Sequence, residues 1–266
     1  MPRTVFPYPG GKTKLSNWIL EHLPDHDCFV EVFGGAAAVL VNKDPDVSTV
    51  EVYNDTDEDL VQFFEILREQ PDELVEWLAA APYSRSLHEE WADLYYRGYR
   101  PTDDIERAGR FFFLRYTQWG AKYDSGGGFG TSKVSNPATS FSNKIDILRE
   151  FAERFDDVVL ENLDWDEVLS KYDSAETVFY CDPPYIGKED YYPAGSIDHE
   201  RFAETLADLD GNWLCSYEDL PAGLQDFPVL SRDERFFINN GKTGSTNEAT
   251  ERLVANFDFD QDQPAE

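Results

Sequence analysis

Cysteine, methionine and basic residues are scarce in this chain: 266 residues hold three Cys, one Met and 23 Lys+Arg against 53 Asp+Glu. The cysteines, Cys28, Cys181 and Cys215, are odd in number, widely spaced and each set in an apolar run, which excludes a disulfide framework and points to buried free thiols. Histidine is equally thin, at four residues. His22 and His26 stand four apart, but Pro24 between them prevents a shared helical face, and no zinc-ligand spacing occurs, so no metal is expected. No run approaches the roughly 18 apolar residues of a membrane span, and the N-terminus lacks a signal-peptide pattern. The expectation is an intracellular, cytoplasmic protein with no membrane partner.

The shortage of cations leaves a formal charge of −30 and a sequence pI near 4.3. Affinity for phosphates rests on cation contacts and counterion release, so this surplus argues against a polyanionic partner. The alternative is a protein that works in molar salt, where screening lengths fall to about 3 Å and an acidic surface preserves solubility. That alternative, a high-salt cytoplasm, predicts uneven charge. Between Arg85 and Lys144 nine cations face seven acids, so the segment is +2 while the rest of the chain is −32. A stretch spared from general acidification is a candidate for touching phosphate.

What is present is a globular composition, 41% hydrophobic and 15% aromatic, and one stretch that organises the rest. Val178-Phe179-Tyr180-Cys181-Asp182-Pro183-Pro184-Tyr185 is a β-prone apolar run that ends in an acid, two prolines and an aromatic. The prolines fix φ and remove two backbone donors, leaving the carbonyls beside them free to face a site. Asp182 and the Pro183 carbonyl are then two acceptors, with the Tyr185 ring nearby. Transfer of a methyl group to an exocyclic amino group of a nucleobase needs such a set. Two acceptors draw the planar amino nitrogen toward tetrahedral geometry and free its lone pair, while an aromatic face receives a base taken out of the stack.

Upstream, Gly10-Gly11-Lys12-Thr13 lacks the glycine that a phosphate loop places five positions before Gly11, where Phe6 stands. What remains is a glycine turn with an aromatic, Tyr8, and a cation, Lys12, followed by a helix over residues 14–23. Residues 28–35 read as a strand breaking into the turn Phe33-Gly34-Gly35, with a helix opening over 36–41. A second strand, 48–53, precedes Asp55, which lies twenty residues beyond Gly35, the distance at which nucleotide-binding folds set a carboxylate on ribose hydroxyls. A nicotinamide-binding domain fits this pair equally well.

After a helix over 57–69 the strand–helix alternation stops from 71 to 150, where Arg and aromatic residues dominate and a glycine-rich turn, 125–130, follows. The reading is a mostly helical insertion that ends in a loop or hairpin. Alternation resumes with a strand over 157–163 ending at Asp164, the strand carrying Asp182, a helix over 199–209, and strands over 213–217, 235–239 and 252–259. Residues 260–266 form an acidic tail. The expected architecture is α/β, with 1–70 and 151–259 forming one discontinuous catalytic domain and 71–150 an inserted recognition subdomain.

With Tyr8 to Lys12, Phe33 to Ala37, Asp55 and Asp-Pro-Pro-Tyr in this order, the chain resembles the Dam-like adenine-N6 DNA methyltransferases over nearly its whole length. The resemblance implies a Rossmann-like class I methyltransferase fold, a seven-stranded mixed sheet with one antiparallel strand, S-adenosyl-L-methionine as methyl donor, and methylation of adenine N6 in duplex DNA with base flipping. It implies that Tyr8, Gly11, Lys12, Phe33, Gly34, Gly35, Asp55, Asp164 and Asp182 bind the cofactor, and that Asp182, Pro183, Pro184 and Tyr185 carry catalysis. The insertion would contact double-stranded DNA, with Arg97, Arg115, Gln118, Trp119, Lys122 and Lys133 as the residues of choice. Two departures stand out. The family's Phe-x-Gly-x-Gly turn has Ala37 in place of its last glycine, and its Asn-x-x-x-Asn-Gly-x-x-Arg loop is replaced by residues 116–123, so no target sequence carries over. Cytosine N4 or an RNA amino group as target, and a DNA-binding protein with a vestigial cofactor pocket, stay open, as do a companion restriction endonuclease and the oligomeric state.

Overall fold

The computed structural model describes residues 3–119, 127–187, 197–238 and 245–259. Its centre is a seven-stranded sheet in the order β5 (Val158–Glu161), β2 (Val50–Asn54), β1 (Cys28–Glu31), β6 (Thr177–Cys181), β7 (Asn212–Tyr217), β9 (Ser245–Ala255), β8 (Val229–Ile238). From β5 to β7 all pairs are parallel, and β9 alone runs antiparallel, to both of its neighbours. Parallel strands buried on both faces need apolar residues on both sides of the pleat. Phe29, Tyr53, Val178, Tyr180 and Leu214 accordingly face one apolar cluster, and Val30, Val52, Phe179, Cys181 and Cys215 the other.

The second cluster is closed by α8 (Trp165–Tyr172) and α9 (His199–Ala207), through Trp165, Val168, Leu169, Phe202 and Leu206. The first is closed by α1 (Ser16–Leu20) and α2 (Glu58–Glu69). Asp57 starts α2 by accepting the Asp59 N–H, with Glu58 and Asp59 in the first turn and Arg68 in the last, each sign on the end where the helix dipole favours it.

Residues 71–150 contribute α3 (Pro71–Ala80), α4 (Arg85–Tyr96), α5 (Asp104–Thr117), a short hairpin of β3 (Gln118–Trp119) and β4 (Gly128–Phe129), α6 (Pro137–Asp146) and the start of α7 (Leu148–Phe155). These helices have no core apart from the sheet's. Phe111, Phe112, Phe113 and Phe141 join Phe6, Phe63 and Phe64 in the first cluster, with Phe63 stacked on Phe112 at 5.7 Å and 12°. A polar clamp adds to this contact: Asp59 accepts from Arg100 Nε at 2.7 Å and from Arg107 Nη2 at 2.8 Å, and Arg107 also reaches Glu58.

Three expected elements differ. Residues 36–41 form turns leading into a 3-10 turn at Leu40–Asn42 rather than an α-helix, because Ala37 sits at φ 54° and the Val39 and Leu40 N–H groups donate to the Glu31 carboxylate. The helix expected over 14–23 is α-helical only at Ser16–Leu20. The last two strands begin six or seven residues earlier than expected. Ser231, Arg232 and Asp233 are exposed on the edge strand β8, and such charge, which protects an edge from pairing, hides a strand from a reading of apolar alternation.

Candidate active site

In sequence order the parallel strands step from β1 through β2 to β5 on one side, then return to β6 and β7 on the other. Their order therefore reverses between β1 and β6, and ligands of open α/β sheets bind outside the carboxyl ends of the strands at such a point. Glu31 ends β1, Asn54 ends β2, and Asp182 follows β6. A cavity with about 650 Å³ of empty space lies here, lined by the Tyr8–Lys12 loop, Glu31, Phe33, Gly34, Gly35, Asp55, Tyr180, Asp182 and Pro184.

The glycine turn is shaped by its neighbours. A Cβ on Gly34 would lie 2.2 Å from Cε2 of Tyr53, whose hydroxyl donates to the Gly35 carbonyl at 2.7 Å. Gly35 is at φ 49° with the Tyr8 ring 3.0 Å from where its Cβ would be, and its N–H donates to Asp55 Oδ2 at 2.9 Å. The twenty-residue spacing thus corresponds to a direct contact. The other Asp55 oxygen accepts the Asp57 N–H at 2.9 Å.

Across the cavity, Lys12 Nζ lies 2.8 Å from Asp182 Oδ1 and 3.5 Å from Glu251 Oε1, and 4.8 Å from the centre of the Tyr185 ring. The Tyr185 hydroxyl donates to that same Glu251 oxygen, and its ring lies at 5.9 Å and 24° to Tyr217. Pro183, Pro184 and Tyr185 are buried, so the turn after Asp182 is rigidly seated.

Three carboxyl groups here are pushed upward. Burial raises Glu31 to about 8 against the lowering effect of the Leu40 and Val39 N–H groups. Burial, with the nearby Asp57 charge, raises Asp55 to about 7. Burial raises Asp182 to about 6, with Lys12 opposing and Glu251 reinforcing. Clustered raised carboxyls in a cleft mark a site that a cationic ligand would relieve. Among the described residues no group of three or more His, Cys, Asp or Glu side chains could hold a metal ion, and no helix is long and apolar enough to cross a membrane.

The structure therefore gathers Tyr8, Gly11, Lys12, Phe33, Gly34, Gly35, Asp55, Asp182 and Pro184 around one cavity, with Pro183 and Tyr185 in the turn beside it. Asp164 is not among the lining residues; it stands exposed ahead of α8, in a loop that Asn162 and Leu163 tie to Asp55 and Asn54. Glu31 and Glu251 were not anticipated. A lone acid inside the apolar run Cys-Phe-Val-Glu-Val-Phe is the signal that could have found Glu31, whereas nothing around Glu251 sets it apart.

The residues expected to meet DNA divide. Arg97, just past the end of α4, is exposed and pairs with Asp93 at 2.8 Å, and Lys133 is exposed. Arg115 is 5% exposed, its guanidinium packed near Tyr95 and Phe111 and donating to Gln118. Gln118 in turn donates to the Tyr96 hydroxyl at 2.8 Å, so in this conformation both side chains serve the interior. Trp119 belongs to the hairpin backbone, and Lys122 lies outside the described residues. The net +2 of this segment is likewise turned largely inward: Arg100, Arg107 and Arg110 are paired with acids, and Lys144 donates to the Thr4 carbonyl. An open groove with about 790 Å³ of empty space remains between α4 and the hairpin, lined by Arg85, His88, Tyr96, Arg97 and Phe129 among others.

Comparison with known proteins agrees with this geometry. The chain is 29% identical over 189 residues to the DNA adenine methylase of Escherichia coli (strain K12), a match covering 69% of this chain and 65% of that one. It is 26% identical over 189 residues to the DNA adenine methylase of Vibrio cholerae, again spanning 65% of that relative's length. The Type II methyltransferase M.CviBI of Paramecium bursaria Chlorella virus NC1A is 22% identical over 269 residues, 96% of this chain and 100% of the relative. Residues 8–226 match the model of the D12 class N6 adenine-specific DNA methyltransferases, from the Tyr8 loop through the whole β1–β7 frame; the chain belongs to that family.

Proposed function

We propose that this chain transfers a methyl group from S-adenosylmethionine to N6 of adenine in duplex DNA, with the target base turned out of the helix. The observation that carries this reading is that Asp182 and Pro184 line the same cavity as the Gly34-Gly35 turn and Asp55.

The residues fit the donor. Gly34 and Gly35 leave backbone where a Cβ could not stand, Phe33 and Tyr8 supply apolar walls, and three carboxyls with raised pKa would ionise as a cationic molecule binds. When bound, S-adenosylmethionine would supply an electrophilic methyl group on a positively charged sulfur. Asp55 and the Gly35 backbone would hold its ribose side, and Glu31 on the cavity floor its charged amino-acid side. Asp182 and the Pro183 carbonyl would accept the two amino hydrogens of adenine, so the nitrogen lone pair is directed at the methyl carbon; alignment supplies much of the rate. The proton shed after transfer has the Asp182 carboxylate as its first acceptor. Tyr185 would stack on the extruded base, as enzymes that modify bases require.

The groove beside α4 and the hairpin, with Arg97 and Lys133 exposed in the same insertion, is the surface we assign to DNA, where side chains on phosphate position the duplex and those reaching base edges specify it. Residues 71–150 act in this reading as the recognition unit and the remainder as the catalytic one. Digestion of DNA after reaction, with mass spectrometry of the nucleosides, tests the reading. N6-methyl-2′-deoxyadenosine is expected; N4-methyl-2′-deoxycytidine, or methylation appearing only with RNA, would refute it.

A further inference from the structure

Glu251 is 6% exposed and lies on β9, beyond residue 226 where the family match ends. It reaches 66 residues back along the chain to accept the Tyr185 hydroxyl, and the same oxygen stands 3.5 Å from Lys12 Nζ. A buried acid is costly unless its partners use it, and both partners here belong to the loops that bear Asp182 and line the cavity. The phenol ring of Tyr185 can rotate about two side-chain bonds. Tyr217 packs against it, and the bond to Glu251 fixes its far end.

From this we infer that Glu251 is a positioning residue for methyl transfer, anchoring Tyr185 so that its ring is held at the orientation in which the target base meets Asp182. This rests on the proposed function. The antiparallel strand β9 would then belong to the active site, although the binding frame is built from the parallel strands.

The test is a cycle of variants read by single-turnover transfer at saturating cofactor and DNA. A hydrogen bond to a charged group is worth about 1.5–3 kcal/mol, so Glu251→Ala and Tyr185→Phe should each slow transfer about ten- to a hundredfold. The double variant should be no slower than the slower single one, because both remove the Tyr185–Glu251 hydrogen bond. Glu251→Gln, which keeps an acceptor of the same shape, should stay within about threefold of wild type, by contrast with Ala. Cofactor affinity, measured by calorimetry, should be unchanged in Tyr185→Phe, which leaves the Lys12–Glu251 contact in place. Multiplicative losses in the double variant, or Gln as damaging as Ala, would overturn the assignment.

A readout free of activity separates this inference from the functional reading. In protein labelled with 13C-tyrosine, the Tyr185 Cζ resonance, assigned through Tyr185→Phe and sensitive to hydrogen bonding of the hydroxyl, should stay near its wild-type position in Glu251→Gln and move in Glu251→Ala. An unchanged Cζ shift in Glu251→Ala would refute the anchor even in an active enzyme. A Cζ shift that depends on Glu251 in a wild-type protein that methylates nothing would refute the functional reading and leave the anchor standing.

Discussion

Gly34→Ala is the substitution whose effect can be worked most directly from the structure. The new Cβ would stand 2.2 Å from Tyr53 Cε2 and 2.6 Å from Cδ2, about an ångström inside the roughly 3.5 Å at which carbons rest. Neither side yields easily. Gly34 N–H is held by the Asn54 carbonyl at 2.8 Å, and Tyr53 is fully buried against Phe64 at 4.7 Å with its hydroxyl on Gly35. Overpacking costs about 1–3 kcal/mol, and losing the Tyr53 hydrogen bond about 1 more, so unfolding in urea should show roughly 2–4 kcal/mol of lost stability. Moving the turn also disturbs the Gly35–Asp55 contact, so calorimetric titration with S-adenosylmethionine should show weakened or absent binding. Tyr53→Leu shortens the side chain, and Gly34→Ala added to that background should cost much less than alone, a coupling expected of groups in contact. Gly98, at φ 85° with nothing within 4 Å of its virtual Cβ, is the control: Ala there should cost only about 1 kcal/mol of backbone strain and leave cofactor binding intact. Unchanged stability and binding in Gly34→Ala would refute the reasoning.

Further expectations follow from the charges. With Asp182 raised to about 6 and needed ionised, kcat/KM should fall about tenfold by about pH 5, with a free-enzyme knee near 6; a flat profile from about pH 5 to 8 would contradict its role. Raised carboxyls bind protons more tightly folded than unfolded, so the stability they lend is full below about pH 4. It is lost as pH climbs through about 6, 7 and 8, where Asp182, Asp55 and Glu31 ionise. A cationic cofactor reverses that cost, so calorimetry in buffers of different ionisation enthalpy should show proton release on binding near pH 7. Asp59→Ala removes the acid that Arg100 and Arg107 share and should lower stability by roughly 2–3 kcal/mol in urea, the Arg107–Glu58 contact and the partial exposure of Arg100 tempering the loss; an effect near zero would show the clamp to be incidental. The charge of −30 leads to the expectation that transfer holds or rises as potassium chloride goes from about 0.1 M to molar levels, where screening shortens to about 3 Å; a maximum at low salt with loss at molar salt would remove the case for a saline host.

The catalytic frame was legible where local chemistry and strand position coincide. Asp182 is conspicuous because an acid followed by two prolines ends an apolar strand, and the Gly35–Asp55 relation because adjacent parallel strands turn a sequence distance into a contact. Charge in the insertion is less legible for the converse reason. Counting arginines does not show which way they face, and Arg100, Arg107 and Arg115 turn inward to acids and aromatic rings. Ala37, where the family pattern has a glycine, stands at a left-handed φ of 54° and is fully buried. Glu251 could not be foreseen, since its neighbours on β9 are polar and its partners lie on loops distant in the chain.

The central claim is that Asp182 serves methyl transfer to adenine. The most direct measurement compares wild type with Asp182→Asn in transfer of labelled methyl from S-adenosylmethionine to unmethylated duplex DNA, with folding verified by denaturation. The account predicts label in N6-methyladenine with the wild type and its loss in the variant, which should still bind the cofactor. Label at wild-type rate in Asp182→Asn, or none in adenine with the folded wild type, would contradict it.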